Sequence, residues 1–288
     1  LEDMTKEQRY GWDASVKDIV PYMKADKNIL KPVMSTSDNV ELTQIGNNAY
    51  NKPAAALYIL RETVMGAELF DKAFKEYSQR WMYKHPKPAD FFRTMEDASA
   101  VDLDWFWRGW FYTTDHVDMA VEEVKWFRLK SESKDLENKN PNVKEGDLQS
   151  STGNTGEGFG SGPQEFTITD TPDQLYGEFR SRVNDGAIRQ KLAGKNIYQV
   201  KFRNVGGLVM PLVIEWTYKD GSKEIERIPA EVWRTNEREV TKVFVKEKEV
   251  TNIVLDPNFE LADTEMTNNV FPKKEAGSKF DEFKKENK

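Results

Sequence analysis

The sequence contains no cysteine and only two histidines, His85 and His116, among its 288 residues. Without cysteine, disulfide bonds and thiolate metal ligands are excluded. Neither histidine belongs to an HExxH pattern, which places two zinc-binding imidazoles one helical turn apart. A zinc site made from these two residues alone is therefore disfavoured. A Gly-x-Ser-x-Gly elbow is also missing, so nothing supports a serine triad.

Long hydrophobic runs are missing as well, because no stretch approaches the roughly 18 apolar residues of a membrane-spanning helix. The first residues lack the basic head and apolar core of a signal peptide. A net charge of −7 and a pI near 5.2 argue against nucleic acid or an anionic membrane as the main partner. Both the cytoplasm and the cell envelope or periplasm are compatible with this composition.

Helical patterns dominate residues 1–116. Pro53 suits the first position of a helix, and the alanine-rich run that follows it favours helix. Gly66 is a helix stop. A second helix is predicted from Ala67 to Tyr83, and a third and a fourth within Asp90–Tyr112.

The fourth of these helices is crowded with aromatic side chains, namely Trp105, Phe106, Trp107, Trp110 and Phe111. So much aromatic surface must be buried against other helices or a partner. Core packing is favoured over a hydrophobic specificity pocket. Arg108 lies among these rings and could bind a peptide carboxylate, although a pair with Asp102 or Asp104 is favoured.

The period of the apolar residues changes from helical to alternating at Val117, and residues 117–260 read as about seven short strands. The first strand, from Val117, is expected to have an irregularity after Val121, and later strands include Phe166–Thr169, Leu208–Tyr218 and Lys223–Trp233. Residues 219–222, Lys-Asp-Gly-Ser, are a hairpin turn signal. Turn signals about ten residues apart predict an antiparallel sandwich, so the fold class is α+β. Within it, residues 130–163 form a charged and then glycine-rich insertion that we expect to be mobile. Residues 261–288 read as a charged tail.

Several short motifs occur in one order in the first part: Tyr50-Asn51-Lys52-Pro53-Ala54, Met65-Gly66-Ala67-Glu68-Leu69-Phe70, Tyr77, Asp90-Phe91-Phe92, and Asp102-Leu103-Asp104-Trp105-Phe106 with Trp110. Together they resemble the second half of the catalytic domain of zinc aminopeptidases of the aminopeptidase N type, the gluzincins that include leukotriene hydrolase. The resemblance is close over roughly residues 34–124. No single motif is specific, and the order and spacing carry the resemblance.

The resemblance implies the all-helical C-terminal half of a gluzincin catalytic domain, followed by an immunoglobulin-like antiparallel β-sandwich. It also implies the C-terminal fragment of an enzyme that hydrolyses N-terminal residues from peptides. In that family's order the HExxH helix and a later glutamate would precede Leu1. Zinc would then be held by the N-terminal half of the same protein, and this chain alone is expected to hold no metal and to be inactive.

Tyr50 is the catalytic residue that the resemblance implies, because the family's tyrosine stabilises the oxyanion of the tetrahedral intermediate. The alternative is a buried tyrosine that packs the start of a helix. Lys52 is interpreted as a structural cap or pairing residue. The sequence departs from the family pattern at two places. Pro53 stands where many relatives have glycine, which should stiffen the turn without moving the phenol. His116-Val117 stands where glycine and proline are usual, which weakens the match locally.

Rival interpretations stay open. A non-catalytic binding or scaffolding module could keep the same helices and sandwich, and an unrelated helical hydrolase could imitate the aromatic helix. His85 is interpreted as a solvated loop residue, and His116 as an interdomain hydrogen-bonding residue. The substrate-binding residues are not predicted, because the pocket for the free amino terminus would lie upstream.

Overall fold

The computed structural model describes residues 16–129, 164–166, 191–192 and 194–273, with helices in the first part of this range and two β-sheets in the second. The fold is therefore α+β, as the sequence predicts. The predicted insertion 130–163 and the end of the predicted tail, 274–288, lie outside the described residues.

The helical part begins with a 3₁₀ turn and continues through five α-helices: 3₁₀ Val16–Ile19, α1 Val20–Met23, α2 Lys52–Ile59, α3 Ala67–Trp81, α4 Pro88–Ser99 and α5 Asp104–Tyr112. Gly66 separates α2 from α3 with a φ of 82°, a conformation in which glycine has no steric penalty. The predicted second, third and fourth helices are confirmed, with ends that differ by a few residues.

Aromatic rings hold α3, α4 and α5 together. Tyr77 of α3 meets Phe91 of α4 edge-on with ring centroids 4.9 Å apart. Phe92 of α4 stacks on Trp107 of α5 at 4.6 Å. Both geometries are favourable for aromatic pairs. Helix α5 therefore packs against α4, which in turn packs against α3.

The strands form two four-stranded sheets with the orders β2-β1-β3-β6 and β5-β4-β7-β8. Their bounds are β1 Met119–Leu129, β2 Gln164–Phe166, β3 Asn196–Asn204, β4 Leu212–Tyr218, β5 Lys223–Ile228, β6 Glu239–Lys246, β7 Val250–Leu255 and β8 Val270–Phe271. Neighbouring strands are antiparallel except β1 and β2, which are parallel. The irregularity expected in β1 is present as a register shift between Val121 and Glu123.

Three strand predictions have wrong limits. The strand predicted over 166–169 is observed at Gln164–Phe166, and the described residues end there until Lys191. Pro211 delays the start of β4, which was predicted from Leu208. Pro229 ends β5, and the predicted continuation to Trp233 is a 3₁₀ turn, because proline cannot donate to a strand ladder.

The two sheets pack face to face through large side chains. Trp216 of β4 meets Phe244 of β6 at 4.8 Å and Tyr198 of β3 at 6.3 Å. The Tyr198 hydroxyl accepts a hydrogen bond from the Val250 amide at 2.8 Å. At one edge the buried Lys246 ammonium of β6 forms salt bridges with two carboxylates of β5, and these salt bridges link the two sheets.

The helical part and the sheets meet where the chain after α5 runs beside Gly206 and Gly207. The His116 amide donates to the Gly206 carbonyl, and the Leu208 amide donates to the His116 carbonyl, both at 3.2 Å. A Cβ on Gly206 would lie 2.2 Å from the His116 carbonyl oxygen, so only glycine allows this approach. We call these contacts, with Asp115 and Asp118, the helix–sheet junction.

The tail predicted from residue 261 begins too early. Leu261, Ala262 and Phe271 are fully buried, and β8 pairs with β7. Apolar side chains placed between polar ones let this segment pack although its composition is rich in charge. Within the described residues, no helix has the length and apolar character needed to cross a bilayer.

Asp256, which follows β7, makes the stability of the β part depend on pH. Its carboxylate is fully buried and accepts the amides of Glu260 and Leu261 at 2.6 and 3.0 Å. Burial nevertheless raises its pKa to about 6. The folded chain therefore binds this proton more tightly than the unfolded chain, and this group adds stability as the pH falls from about 6 towards 4.

We expect Asp256→Asn to remove this contribution. Between pH 7 and pH 4 the free energy of unfolding of the wild type should rise relative to the variant by at most roughly 3 kcal/mol. Urea unfolding of both chains at each pH measures this difference. Asp220→Asn is the control, because Lys248 lowers the pKa of Asp220 and the effect of this substitution on stability should therefore change little between pH 7 and pH 4. A difference independent of pH would mean that Asp256 is not protonated in this range.

Candidate functional site

Tyr50 lies in a π-helical turn, Asn47–Asn51, that runs directly into α2. The Lys52 amide donates to the Asn47 carbonyl five residues earlier, which widens the turn. Pro53 lies in the first turn of α2, as predicted, but the π-helical turn continues the helical backbone before it. Proline has no N–H to donate, and the wider turn accommodates it inside a continuous helical segment.

Two neighbours of Tyr50 are buried on the opposite side of the same turn. Asn48 is 2% exposed and donates to the Lys31 carbonyl at 2.6 Å and to the Tyr22 hydroxyl at 3.3 Å. Lys52 is 3% exposed and donates to the Thr113 carbonyl at 3.2 Å. Residues four apart lie on one face of a helix, so both side chains hold this face against the protein.

Tyr50 itself faces outward, with 70% of its surface exposed. The alternative in which a buried Tyr50 packs the start of the helix is therefore wrong. The side chains at positions 48 and 52 anchor the turn, and the residue between them presents a phenol to the surface. A neutral phenol can donate one hydrogen bond to a group that approaches from outside.

The charge environment beneath Tyr50 is set by Lys52 and Asp115. Burial lowers the pKa of the Lys52 ammonium to about 8, and the negative charge of Asp115 opposes this shift. Asp115 also faces Lys27, with the nearest N···O distance at 3.8 Å. The bond of Lys52 to the Thr113 carbonyl and the attraction of Asp115 thus connect the turn that carries Tyr50 to the helix–sheet junction.

The aromatic helix is mainly core, as the sequence favours. Phe106, Trp107, Trp110 and Phe111 are buried, and the Trp110 indole N–H contacts the Met210 sulfur at 3.4 Å. Of the five rings, Trp105 lines the cleft described next. The predicted specificity pocket is therefore not formed by this cluster as a whole.

The cleft beside Trp105 has a volume of about 470 Å³ and lies between the start of α5 and the β part. Val209, Ala230 and Trp233 form its apolar floor, and acidic and basic side chains form its rim. Its size is in the range of small-molecule sites. Tyr50 does not line it, so the phenol and this cleft are separate features of the surface.

Arg108 pairs with neither Asp102 nor Asp104. Its guanidinium instead donates to Glu237, which lies 129 residues later in the chain. The contact joins α5 to the loop before β6 across the cleft. The favoured pairing within the helix was wrong because the partner comes from a distant segment that helical spacing cannot reveal.

The histidines do not form a metal site. Among residues 16–129 and the described later segments, no group of three or more His, Cys, Asp or Glu side chains could hold a metal ion. His85 is exposed between α3 and α4, as predicted. His116 bridges the helix–sheet junction through its main chain, while its buried Nδ1 has no hydrogen-bond partner among the described residues.

Sequence reasoning missed Asn48 and underrated Lys52. Asn48 reads as a polar loop residue, and only its spacing of four from Lys52 hints at a shared buried face. The cleft was also missed, because its floor comes from residues 209–233, which are far from α5 in the sequence. No local pattern carries such information.

Comparison with curated proteins gives a match to the glutamyl aminopeptidase of Sus scrofa, with 26% identity over 133 residues. The match covers 45% of this chain, and the chain covers 14% of the length of that relative. No protein-family model matches the chain. The chain is thus distantly similar to an aminopeptidase over part of its length.

We expect the Arg108–Glu237 pair to contribute little to stability. Both side chains are more than half exposed, and pairs of this kind are worth about 0–1 kcal/mol. A double-mutant cycle with Arg108→Gln and Glu237→Gln, followed by urea unfolding, measures the coupling. A coupling well above 1 kcal/mol would show that the pair holds α5 against the β part.

Proposed function

We propose that this chain is part of a zinc-dependent aminopeptidase that removes N-terminal residues from peptides, and that Tyr50 donates a hydrogen bond to the oxyanion of the tetrahedral intermediate. The observation that carries the proposal is the outward-facing phenol of Tyr50 on a turn whose flanking side chains, Asn48 and Lys52, are buried. The ordered block of motifs and the similarity to an aminopeptidase support it.

The chemistry suits a tyrosine in this position. A phenol is neutral at pH 7 and carries one O–H, so it stabilises developing negative charge without an initial charge of its own. The donor is useful only if it is already aimed at the oxygen, because reorientation during the reaction would cost free energy. A helix-borne turn anchored on its inner face meets this requirement.

The residues that the structure describes do not fit a zinc site. The sequence has two histidines and no cysteine, and the described residues include no cluster of ligands. In this proposal the zinc ligands belong to the N-terminal half of the same protein. The finer fold assignment, a gluzincin helical half followed by an immunoglobulin-like sandwich, is part of the same proposal.

The helical part exposes apolar surface that such an N-terminal half could cover. The large side chains concerned are Leu42, Tyr50, Phe74, Met82, Tyr83 and Tyr112. Single exposed apolar residues are ordinary, and the β part also exposes Val205, Ile225, Val243 and Val245. Among the described residues, however, the exposed large aromatic rings all lie in the helical part. A docked N-terminal half would bury part of it and bring a reacting centre to Tyr50.

In the intact protein, Tyr50→Phe should lower kcat by about 10²–10³-fold with a smaller change in KM, as for other single oxyanion donors. The change removes one hydroxyl and leaves the ring in place. Steady-state hydrolysis of an aminoacyl reporter measures both constants.

The matched control for this variant is Tyr83→Phe, which removes a hydroxyl from a side chain that is 99% exposed and lies outside the turn. It should behave as the wild type. A Tyr50→Phe enzyme with near-normal kcat would remove Tyr50 from the mechanism. An intact protein without any peptidase activity would favour the binding or scaffolding module.

The 288-residue chain by itself should neither hold stoichiometric zinc nor turn over an aminoacyl reporter. Its described residues contain no group of three or more His, Cys, Asp or Glu side chains that could hold the metal. Zinc titration against a chromophoric chelator, followed by metal analysis after gel filtration, checks the first expectation. One tightly held zinc per chain would contradict the proposal that the zinc ligands belong to the N-terminal half of the protein.

A further inference from the structure

Lys52 differs from the other buried lysine that the structure describes. Lys246 is similarly buried, and its ammonium makes two salt bridges, to Glu224 at 3.0 Å and Glu226 at 2.8 Å. Lys52 is 3% exposed, but the hydrogen bond that the described residues give it is to a main-chain carbonyl. Its charge is therefore less well compensated than that of Lys246.

Such a burial has a cost that an apolar side chain would avoid. Removing an ammonium from water is unfavourable unless hydrogen bonds and opposite charge offset the loss of hydration. The lowered pKa of Lys52 shows that the offset is incomplete, although Asp115 supplies opposite charge. A methionine of similar length would fill the same space at lower cost, so packing alone does not account for a lysine here.

A hydrogen-bond donor is useful at this point because Pro53 follows. Pro53 contributes no N–H, so the turn that contains Tyr50 has one main-chain hydrogen bond fewer than an unbroken helix. The side chain of Lys52 supplies a bond from the same turn to the Thr113 carbonyl, just after the end of α5. The bond spans 61 residues of sequence and joins two separate segments.

We propose that Lys52 is the positioning residue for Tyr50: its bond to the Thr113 carbonyl fixes the outward-facing turn against the end of α5 and the helix–sheet junction. This inference rests on the proposed function of Tyr50. Lys52 acts through Tyr50 and does not itself contact the substrate. The side-chain bonds of Asn48 to the segment around Lys31 anchor the other end of the turn.

The test combines Lys52→Met with Tyr50→Phe in the intact protein. Lys52→Met should lower kcat by about 10- to 100-fold with little change in KM, the cost of a misplacement near 1 Å. In the Tyr50→Phe background the same change should lower kcat little further, because the donor that Lys52 positions is already gone. Lys72→Met, on the exposed face of α3, is the control and should not alter kcat in either background.

Two measurements on the 288-residue chain separate positioning from stability. Urea unfolding should give Lys52→Met a free energy of unfolding equal to or above that of the wild type, because a buried charge is replaced by an apolar group. Hydrogen exchange of the amides in 47–52 should nevertheless accelerate, while exchange in α4 is unchanged. Lys52→Gln keeps a hydrogen-bond donor on a shorter side chain. The exchange rate of these amides in Lys52→Gln should therefore lie between those of the wild type and Lys52→Met.

The outcomes distinguish the two proposals. If Tyr50→Phe leaves kcat intact, the oxyanion role fails and the positioning role fails with it. If Tyr50→Phe is slow but Lys52→Met is as fast as the wild type, only the positioning role is overturned. Equal losses from Lys52→Met in both backgrounds, or unchanged exchange in 47–52, would also overturn it.

Discussion

The close main-chain contact between His116 and Gly206 is the constraint on which the arrangement of this molecule depends. The two segments approach so closely that a Cβ on Gly206 would overlap the His116 carbonyl. Paired hydrogen bonds on both sides of His116 fix the direction in which the chain leaves α5. These bonds fix the position of the end of α5 relative to the β part. The helices that pack around α5 are thereby placed relative to the β part as well.

A series of polar contacts connects the end of α5 to the candidate site. Thr113, just before the junction, accepts the hydrogen bond of Lys52, and Lys52 belongs to the turn that presents Tyr50. The aromatic contacts of α5 with α4 stabilise the same end of the molecule from the apolar side. Apolar packing thus provides rigidity, and a few directed hydrogen bonds set the orientation of one exposed side chain.

Local patterns predicted those parts of the fold that depend on neighbouring residues. The helical periodicity from Ala67, the stop at Gly66 and the turn at residues 219–222 between β4 and β5 are all observed. The burial of Trp107 and Trp110 follows equally from the amount of aromatic surface in one short helix. In each case the physical cause lies within a few residues of the effect.

The remaining features depend on distant contacts or on competition between backbone hydrogen bonds. The residue types in the π turn before Pro53 do not distinguish it from an ordinary helix start. The turn is instead held by the buried side chains of Asn48 and Lys52. The partner of Arg108 and the packing of Phe271 likewise come from remote segments. For the same reason the exposure of Tyr50 could not be predicted from the sequence, because local spacing does not show which face of that turn is buried.

The most direct measurement is a structure of the intact protein with a phosphinic peptide that mimics the tetrahedral intermediate. We expect the Tyr50 hydroxyl to lie about 2.7–3.1 Å from a phosphinate oxygen, with the Lys52 ammonium still bonded to the Thr113 carbonyl. A phenol turned to solvent, with a different side chain as the donor to that oxygen, would contradict this expectation.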